Sequence, residues 1–342
     1  MKFKTILNII KRSITVIIVF ITAVSVYCKD SPLTDSYFIG GVPCSAAIGR
    51  GGAYTGVASS PFASYWNPAA LSSIKTNQIG ISMSAFSESD LDSSILKRFN
   101  YLGERSVDFF AVCAPEIGAY WRPLSNKTVK TTWIESKVRY EETIDEKINV
   151  YGITVAVAQS ERTDFGMNIN LLSGVIGYSL IRNDAPELDI SYGHGWGLDW
   201  GLIYKMSETM NAGLTLINGP AEIHWDDFDK NRLPLIFRGG IDIRLTDLMS
   251  MGMDYDNGSY DDSVSDKDVF HIGIEQYIRP NIILRGGAFG NNLNEIYDTT
   301  YTAGIGYNKK GYKLDIAARQ FYIRRSDSGM VRKFSVSGEI AF

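Results

Sequence analysis

Beyond its first 28 residues the chain has no run of 18 consecutive apolar residues, so no later segment can cross a bilayer as a helix, which takes about 20. If the protein sits in a membrane it must do so as a closed barrel, because only helices and closed barrels satisfy their backbone polar groups in lipid. Cysteine is scarce, with three in 342 residues. Of these, Cys44 and Cys113 could form one disulfide in an oxidising compartment or stand as two buried thiols, and the sequence leaves both open. Histidine is equally sparse: His194, His224 and His271 stand far apart with no second ligand at metal spacing, so neither a metal site nor a cofactor is expected. Gly-x-Ser-x-Gly, His-Glu-x-x-His and paired-cysteine motifs are all missing, so no catalytic residue is nominated and enzymatic function is disfavoured.

What is present begins with an export signal. Met1 to Arg12 carries Lys2, Lys4, Lys11 and Arg12 with no acidic residue, and the apolar run Ile14 to Val24 follows. That is the pattern of a secretory signal peptide, with small residues at Ala23 and Ser25 for cleavage. Lipidation at Cys28 is the rival reading, but Tyr27 is bulkier than the small residue such processing needs before its cysteine. Residues 1–28 are therefore read as signal peptide, 29–76 as an N-terminal segment and 77–342 as the main domain. Removing the signal takes four of the 34 basic residues and leaves 30 against 38 acidic ones, a balance of −8, so no nucleic-acid partner is expected.

From Gln78 onward the apolar pattern has a period of two. Trp196, Leu198, Trp200, Leu202, Tyr204 and Met206 alternate with Gly197, Asp199, Gly201, Ile203 and Lys205. Phe237, Gly239, Ile241 and Ile243 likewise oppose Arg238, Gly240, Asp242 and Arg244. A soluble β-sandwich shows such alternation too. Strands of roughly 10 residues, however, match a tilted crossing of a membrane's apolar band, and tyrosine and tryptophan lie near segment ends where an interfacial girdle wants them. The chain also ends on a strand whose last residue, Phe342, shares a face with Ile340, Gly338, Val336 and Phe334. This looks like the C-terminal signature by which the barrel-assembly machinery takes up bacterial outer-membrane barrels.

The reading predicts an all-β fold: a transmembrane antiparallel barrel of about 14 strands in the bacterial outer membrane, surrounded by outer-membrane lipid. Strands are expected near 78–87, 106–122, 130–142, 147–159, 162–173, 196–206, 209–217, 234–245, 248–257, 268–278, 281–290, 298–307, 311–323 and 331–342. Short turns alternate with long polar connections, among them Gly174 to Gly195 and Asn218 to Leu233. Segment 106–122 contains Pro115, which cannot donate to a ladder, so a kink is expected there.

Between the signal and the first strand lies a small-residue segment containing Gly49, Arg50, Gly51, Gly52, Ala53 and Tyr54, then Trp66, Asn67, Pro68 and Ala69. Glycines let backbones approach closely, and Asn-Pro forces a turn, so the segment suits a plug inside a lumen too wide for wall side chains to fill. At these residues the sequence resembles the FadL family of outer-membrane hydrophobic-compound transporters and the related PorV/PorQ group. The resemblance implies a 14-stranded barrel blocked by an N-terminal hatch at about Asp35 to Lys75. It also implies a hydrophobic small-molecule ligand held beneath the outer loops, and a lateral opening where a strand kinks. Pro115 and Gly118 are the candidates for that kink. The expected function is passive uptake of long-chain fatty acids or other hydrophobic molecules. The alternative is a PorV-like scaffold working with an envelope secretion partner.

Asp199, Lys205, Arg238, Asp242, Arg244, His271 and Glu275 fall on the inward face, where they either line a polar path or pair and stiffen the wall. Asp254-Tyr-Asp256-Asn257-Gly258 is one residue out of register with a calcium loop and reads as an ordinary hairpin loop. Gly49-x-Gly51-Gly52 has no strand before it and is not a nucleotide loop.

Overall fold

The computed structural model describes residues 43–57, 60–87, 106–135, 138–182, 185–259, 267–294, 299–323 and 329–342. The expected signal peptide, Cys28 and the connection at 88–105 lie outside them. The alternating segments form β1 (Gln78–Ser87), β2 (Ser106–Ala114), β3 (Ile117–Glu135), β4 (Val138–Ala158), β5 (Thr163–Arg182), β6 (Ala185–Lys205) and β7 (Met210–Ile217). After a short inward hairpin, β8 (Ala221–Trp225) and β9 (Asn231–Arg232), come β10 (Leu235–Thr246), β11 (Met249–Ser259), β12 (Lys267–Arg279), β13 (Ile282–Gly290), β14 (Thr299–Lys309), β15 (Tyr312–Ile323) and β16 (Gly329–Ala341).

Fourteen of these strands, all but β8 and β9, pair with their neighbours in one antiparallel cycle. The cycle closes where β1 pairs with β16, from Gln78 opposite Ala341 to Ser87 opposite Arg332. Closure removes both free edges, so every wall strand finds backbone partners on each side. Side chains sort by parity, as the pleat demands. On β16, Phe334, Val336 and Ile340 face out, while Lys333, Ser335, Ser337 and Glu339 are buried in the lumen. No helix among the described residues is long and apolar enough to span a membrane.

Two sequence readings are corrected. Segment 106–122 is not one kinked strand: Pro115 and Glu116 make a tight turn, with Ala114 paired to Ile117 and Glu116 at φ 68°. The ring of Pro115 pre-sets φ for a turn corner and its missing N–H costs nothing there. Inward parity changes across this turn, from odd residues (Ala111, Cys113) to even ones (Gly118, Tyr120). β3 and β4 then stay paired from Ile117 opposite Val155 out to Glu135 opposite Val138, so 143–146 runs straight through β4. The strand total survives because one misplaced turn compensates for the other.

The span from 174 to 195 is not a loop either. β5 and β6 pair along their whole length out to Arg182 and Ala185. At about 3.3 Å per residue, strands of 19, 21, 20 and 21 residues far exceed the roughly 10 that a membrane crossing takes. Trp121, Tyr151, Leu171 and Trp196 stand in one register across β3–β6, at the level of an outer girdle. Beyond it the four strands continue, still paired, as one sheet.

Candidate functional site: the hatch and the apolar column above it

The N-terminal segment folds inside the barrel as α1 (Ser45–Gly49), α2 (Ala63–Trp66) and a 3-10 turn (Pro68–Ser73), nearly all of it buried. Asn67 initiates that turn by accepting from the Ala69 N–H. Its amide also donates to the carbonyl oxygens of Thr55 and Leu202, tying hatch to hatch and hatch to wall. Trp66 donates its indole N–H to Pro43 O at 3.2 Å, and its own carbonyl accepts from Thr215. Most buried polar groups of the hatch thus find a partner, the Ser45 hydroxyl and the Arg50 Nε being exceptions among the described residues.

The hatch seats directly on wall backbone. At lumen-facing Gly273 an added Cβ would collide with the Arg50 backbone, and at Gly166 it would collide with Pro68 and Ala69. Gly213 meets the Thr55 carbonyl in the same way. Glycine here serves close approach.

Charged latches hold the hatch in register. Arg50, 2% exposed, pairs with Asp242 of β10 at 2.5 Å. Asp254 accepts from Tyr54 N–H (2.7 Å), Thr55 N–H (2.8 Å) and the Thr55 hydroxyl (2.6 Å). His271 Nδ1 lies 2.8 Å from Gly51 O. Asp254 and Asp256 lie on β11 and point inward, as the expected strand 248–257 places them, and the hairpin-loop reading of the same stretch is corrected: Asp256 holds Arg238 through two oxygens, and Asp254 grips the hatch. The remaining inward charges also pair: Lys205 with Asp164, Glu275 with Arg285, while Asp199 accepts from Asn168, Asn170 and the Asn218 N–H. Arg244 is exposed and donates to Glu208 O at the short-turn end.

Cys44 and Cys113 are both free and buried. Burial, reinforced by nearby Glu339 and Asp315, pushes the Cys44 thiol up to about 12, so little nucleophilic thiolate forms. The folded protein should run identically with and without reductant and resist a water-soluble maleimide, with both thiols labelled only after denaturation. A mobility shift on reduction would contradict this.

Above the hatch, on the side of β3–β6, the inward positions turn apolar. Leu124, Ile148, Val150, Leu172 and Ile176 join the hatch aromatics Phe62, Tyr65 and Trp66 through Phe109 and Tyr120. Phe109 stacks on Tyr120 at 5.3 Å and meets Phe62 at 5.7 Å. The top of the column is covered by β8, which pairs with β6 and bends into the mouth. Lumen-facing glycines make room: a Cβ at Gly195 would strike Glu222 O, and at Gly174 or Gly193 it would strike the Trp225 ring. Ile223 and Trp225 thereby bury themselves against the column. At its foot two guanidiniums converge on the hatch aromatics, Arg122 at 5.4 Å from the Tyr65 ring and Arg238 at 4.9 Å from Trp66.

No protein-family model matches the sequence, and no curated protein matches it. Solved structures do match. The toluene transporter TbuX of Ralstonia pickettii superposes with a TM-score of 0.60 at 12% identity, covering 86% of this chain and 97% of that one. The Pseudomonas putida toluene transporter TodX gives 0.59 at 13% identity, with 86% and 97% covered. A Pseudomonas aeruginosa FadL homologue gives 0.59 at 9% identity, with 88% and 98% covered. The chain has the FadL-type fold.

Within that fold the residues of 49–54 and 66–69 do come together, as the plug. Pro115 does not join them, lying in its tight turn, while Gly118 faces Leu71 of the 3-10 turn. Sequence reading missed the apolar column and its β8 cover. Its trace was there in apolar residues at inward positions of β4 and β5, where polar ones were expected.

Proposed function

We propose that this chain is an outer-membrane channel that lets hydrophobic small molecules in without an energy source. The supporting observation is the apolar column of β3–β6, an inward face that a purely structural barrel would keep polar. It starts at the mouth beneath Trp225 and ends on the hatch aromatics, and the fold is shared with proteins described as toluene transporters. An entering molecule displaces Ile223 and Trp225, exchanging their apolar contacts for its own. It then rests against Leu172, Val150 and Phe109. Long-chain fatty acids are the ligand class we favour: the tail suits the column, and the carboxylate suits the guanidinium of Arg122 at its foot.

Cells with an intact lipopolysaccharide leaflet should take up a long-chain fatty acid several-fold faster when they express the protein, with no gain for a hydrophilic sugar. Equal uptake with and without the protein would overturn the proposal. A neutral methyl ester separates the ligand classes: if it competes as well as the free acid, the site reads hydrocarbon alone. Trp225→Ala removes the cover and should raise the rate of probe binding in detergent while leaving the barrel folded. Burial of so large an aromatic contributes about 3 kcal/mol or more, so the cover should open readily in the variant.

A further inference from the structure

The outer surface carries a groove that the uptake route does not use. It lies across the closing seam, with a volume of about 300 Å³, lined by Ile79 and Ile81 of β1, Tyr307 of β14, Tyr312 and Leu314 of β15 and Ile340 of β16. Its floor is Gly338, where the outward column of β16 skips a side chain between Val336 and Ile340. A Cβ built there meets nothing nearer than Lys313 O at 3.9 Å. The groove therefore exists because of a missing side chain and not because of crowding.

Its position fixes what can occupy it. The apolar and aromatic lining side chains share the lipid-facing parity, so hydrocarbon and not water adjoins them, while Lys313 and Glu339 of the lining face the lumen. The groove opens at the short-turn end, which in such barrels faces the periplasm. Immediately beyond it the β14–β15 turn carries Lys309 and Lys310, both exposed, with Tyr307 and Tyr312 on either side. Neither lysine has an ion-pair partner among the described residues. The nearest acid of the lining, Glu339, points into the lumen and is held by Lys313 at 3.1 Å and by Ser60. Phe342 donates its N–H to Asn77 O, and Ala341 donates its N–H to Gly311 O beside the lysine turn.

We infer that this seam holds a phospholipid of the periplasmic leaflet with an anionic headgroup, one acyl chain lying over Gly338 and the phosphate against Lys309 and Lys310. An acyl chain filling a groove gains close contact that flat barrel wall does not offer, and two lysines at the membrane surface add attraction for negative headgroups. The two tyrosines flank the glycerol level, where phenol rings with one wet end are at home.

Native mass spectrometry of the full-length protein tests this, with micelles offering phosphatidylglycerol and phosphatidylcholine of equal chain length. The wild type should retain phosphatidylglycerol over phosphatidylcholine by roughly tenfold, given the attraction of two surface lysines. Lys309→Glu with Lys310→Glu should bring the ratio to about one, and the milder alanine pair should fall between. Gly338→Leu fills the groove and should lose retained lipid of both kinds while remaining heat-modifiable on gels. A wild-type ratio near one overturns the assignment. So does a ratio that the charge reversals leave unchanged, or a Gly338→Leu protein that keeps its lipid. Fatty-acid uptake should be unaltered in all three variants, so this inference and the transport reading fail separately.

Discussion

Deleting residues 43–74 should turn a closed barrel into an open pore. Fourteen strands enclose a lumen wider than the eight-stranded barrels that side chains alone can fill, and narrower than the large porins that stay open. Here the space is taken by the hatch, whose backbone touches the wall at Gly166, Gly213 and Gly273. Wall closure does not depend on it, since β1 pairs with β16 over ten residues and each strand bonds to its neighbours. The deletion variant should therefore still insert and remain heat-modifiable. In planar bilayers its conductance should exceed that of the intact protein by at least roughly tenfold, as expected when a plugged lumen becomes a water-filled one. Conductance equal to wild type would mean that the inward wall residues seal the barrel unaided.

The second large effect concerns Asp254. Its Oδ2 takes two backbone N–H groups and one hydroxyl of the hatch, at 2.6–2.8 Å, in a buried site. Hydrogen bonds to a charged group contribute about 1.5–3 kcal/mol each, and stranding the buried N–H groups of Tyr54 and Thr55 adds a desolvation cost. Asp254→Ala should thus loosen the hatch by several kcal/mol, on the order of the sum of two such bonds. Arg50→Ala should act in the same direction but less strongly, because Asp242 is partly exposed and can rehydrate. Expected readouts are protease cleavage within 43–74 and flickering conductance, both stronger in Asp254→Ala, with the barrel band on gels unmoved. If Asp254→Ala leaves the hatch as resistant as wild type, the latch is not where the holding energy lies.

The sequence carried the wall and hid its interior. Period-two alternation is a local signal, so strands such as β10 and β16 could be read with the correct face outward from their own residues. The small-residue segment at 49–54 also announced tight packing, because only glycines permit backbone on backbone. Turn positions were weaker signals. Alternation ran on past Pro115, and only the change of inward parity from Cys113 to Gly118 marked the reversal. The outer lengths of β5 and β6 were hidden for a different reason: Gly174, Gly177 and Pro186 suggest a loop, and the alternation of Leu188, Ile190 and Tyr192 with Asp189 and Ser191 is too short a run to stand out.

Contacts between distant segments could not be read at all. Asp254 and Asp256 stood in a stretch resembling a metal loop, and nothing local revealed that one grips a hatch 200 residues earlier in the chain. The inward bend of β8 depends on glycines of β5 and β6 lying opposite Trp225, a coincidence of register and not of sequence neighbourhood. Ile148, Val150 and Leu172 were legible as apolar, but their meaning as a column needed the pairing of β4 with β5.

That hydrophobic molecules travel inside this barrel is tested most directly by photolabelling with a diazirine-bearing fatty acid in intact cells, followed by peptide mapping of β5, β6 and β8. Neighbouring residues face opposite sides, which makes the result unambiguous. Label on Leu172, Ile176, Ile223 and Trp225 is the predicted outcome. Label confined to Ile169, Leu171 and Trp196, the residues that touch only membrane lipid, would contradict it.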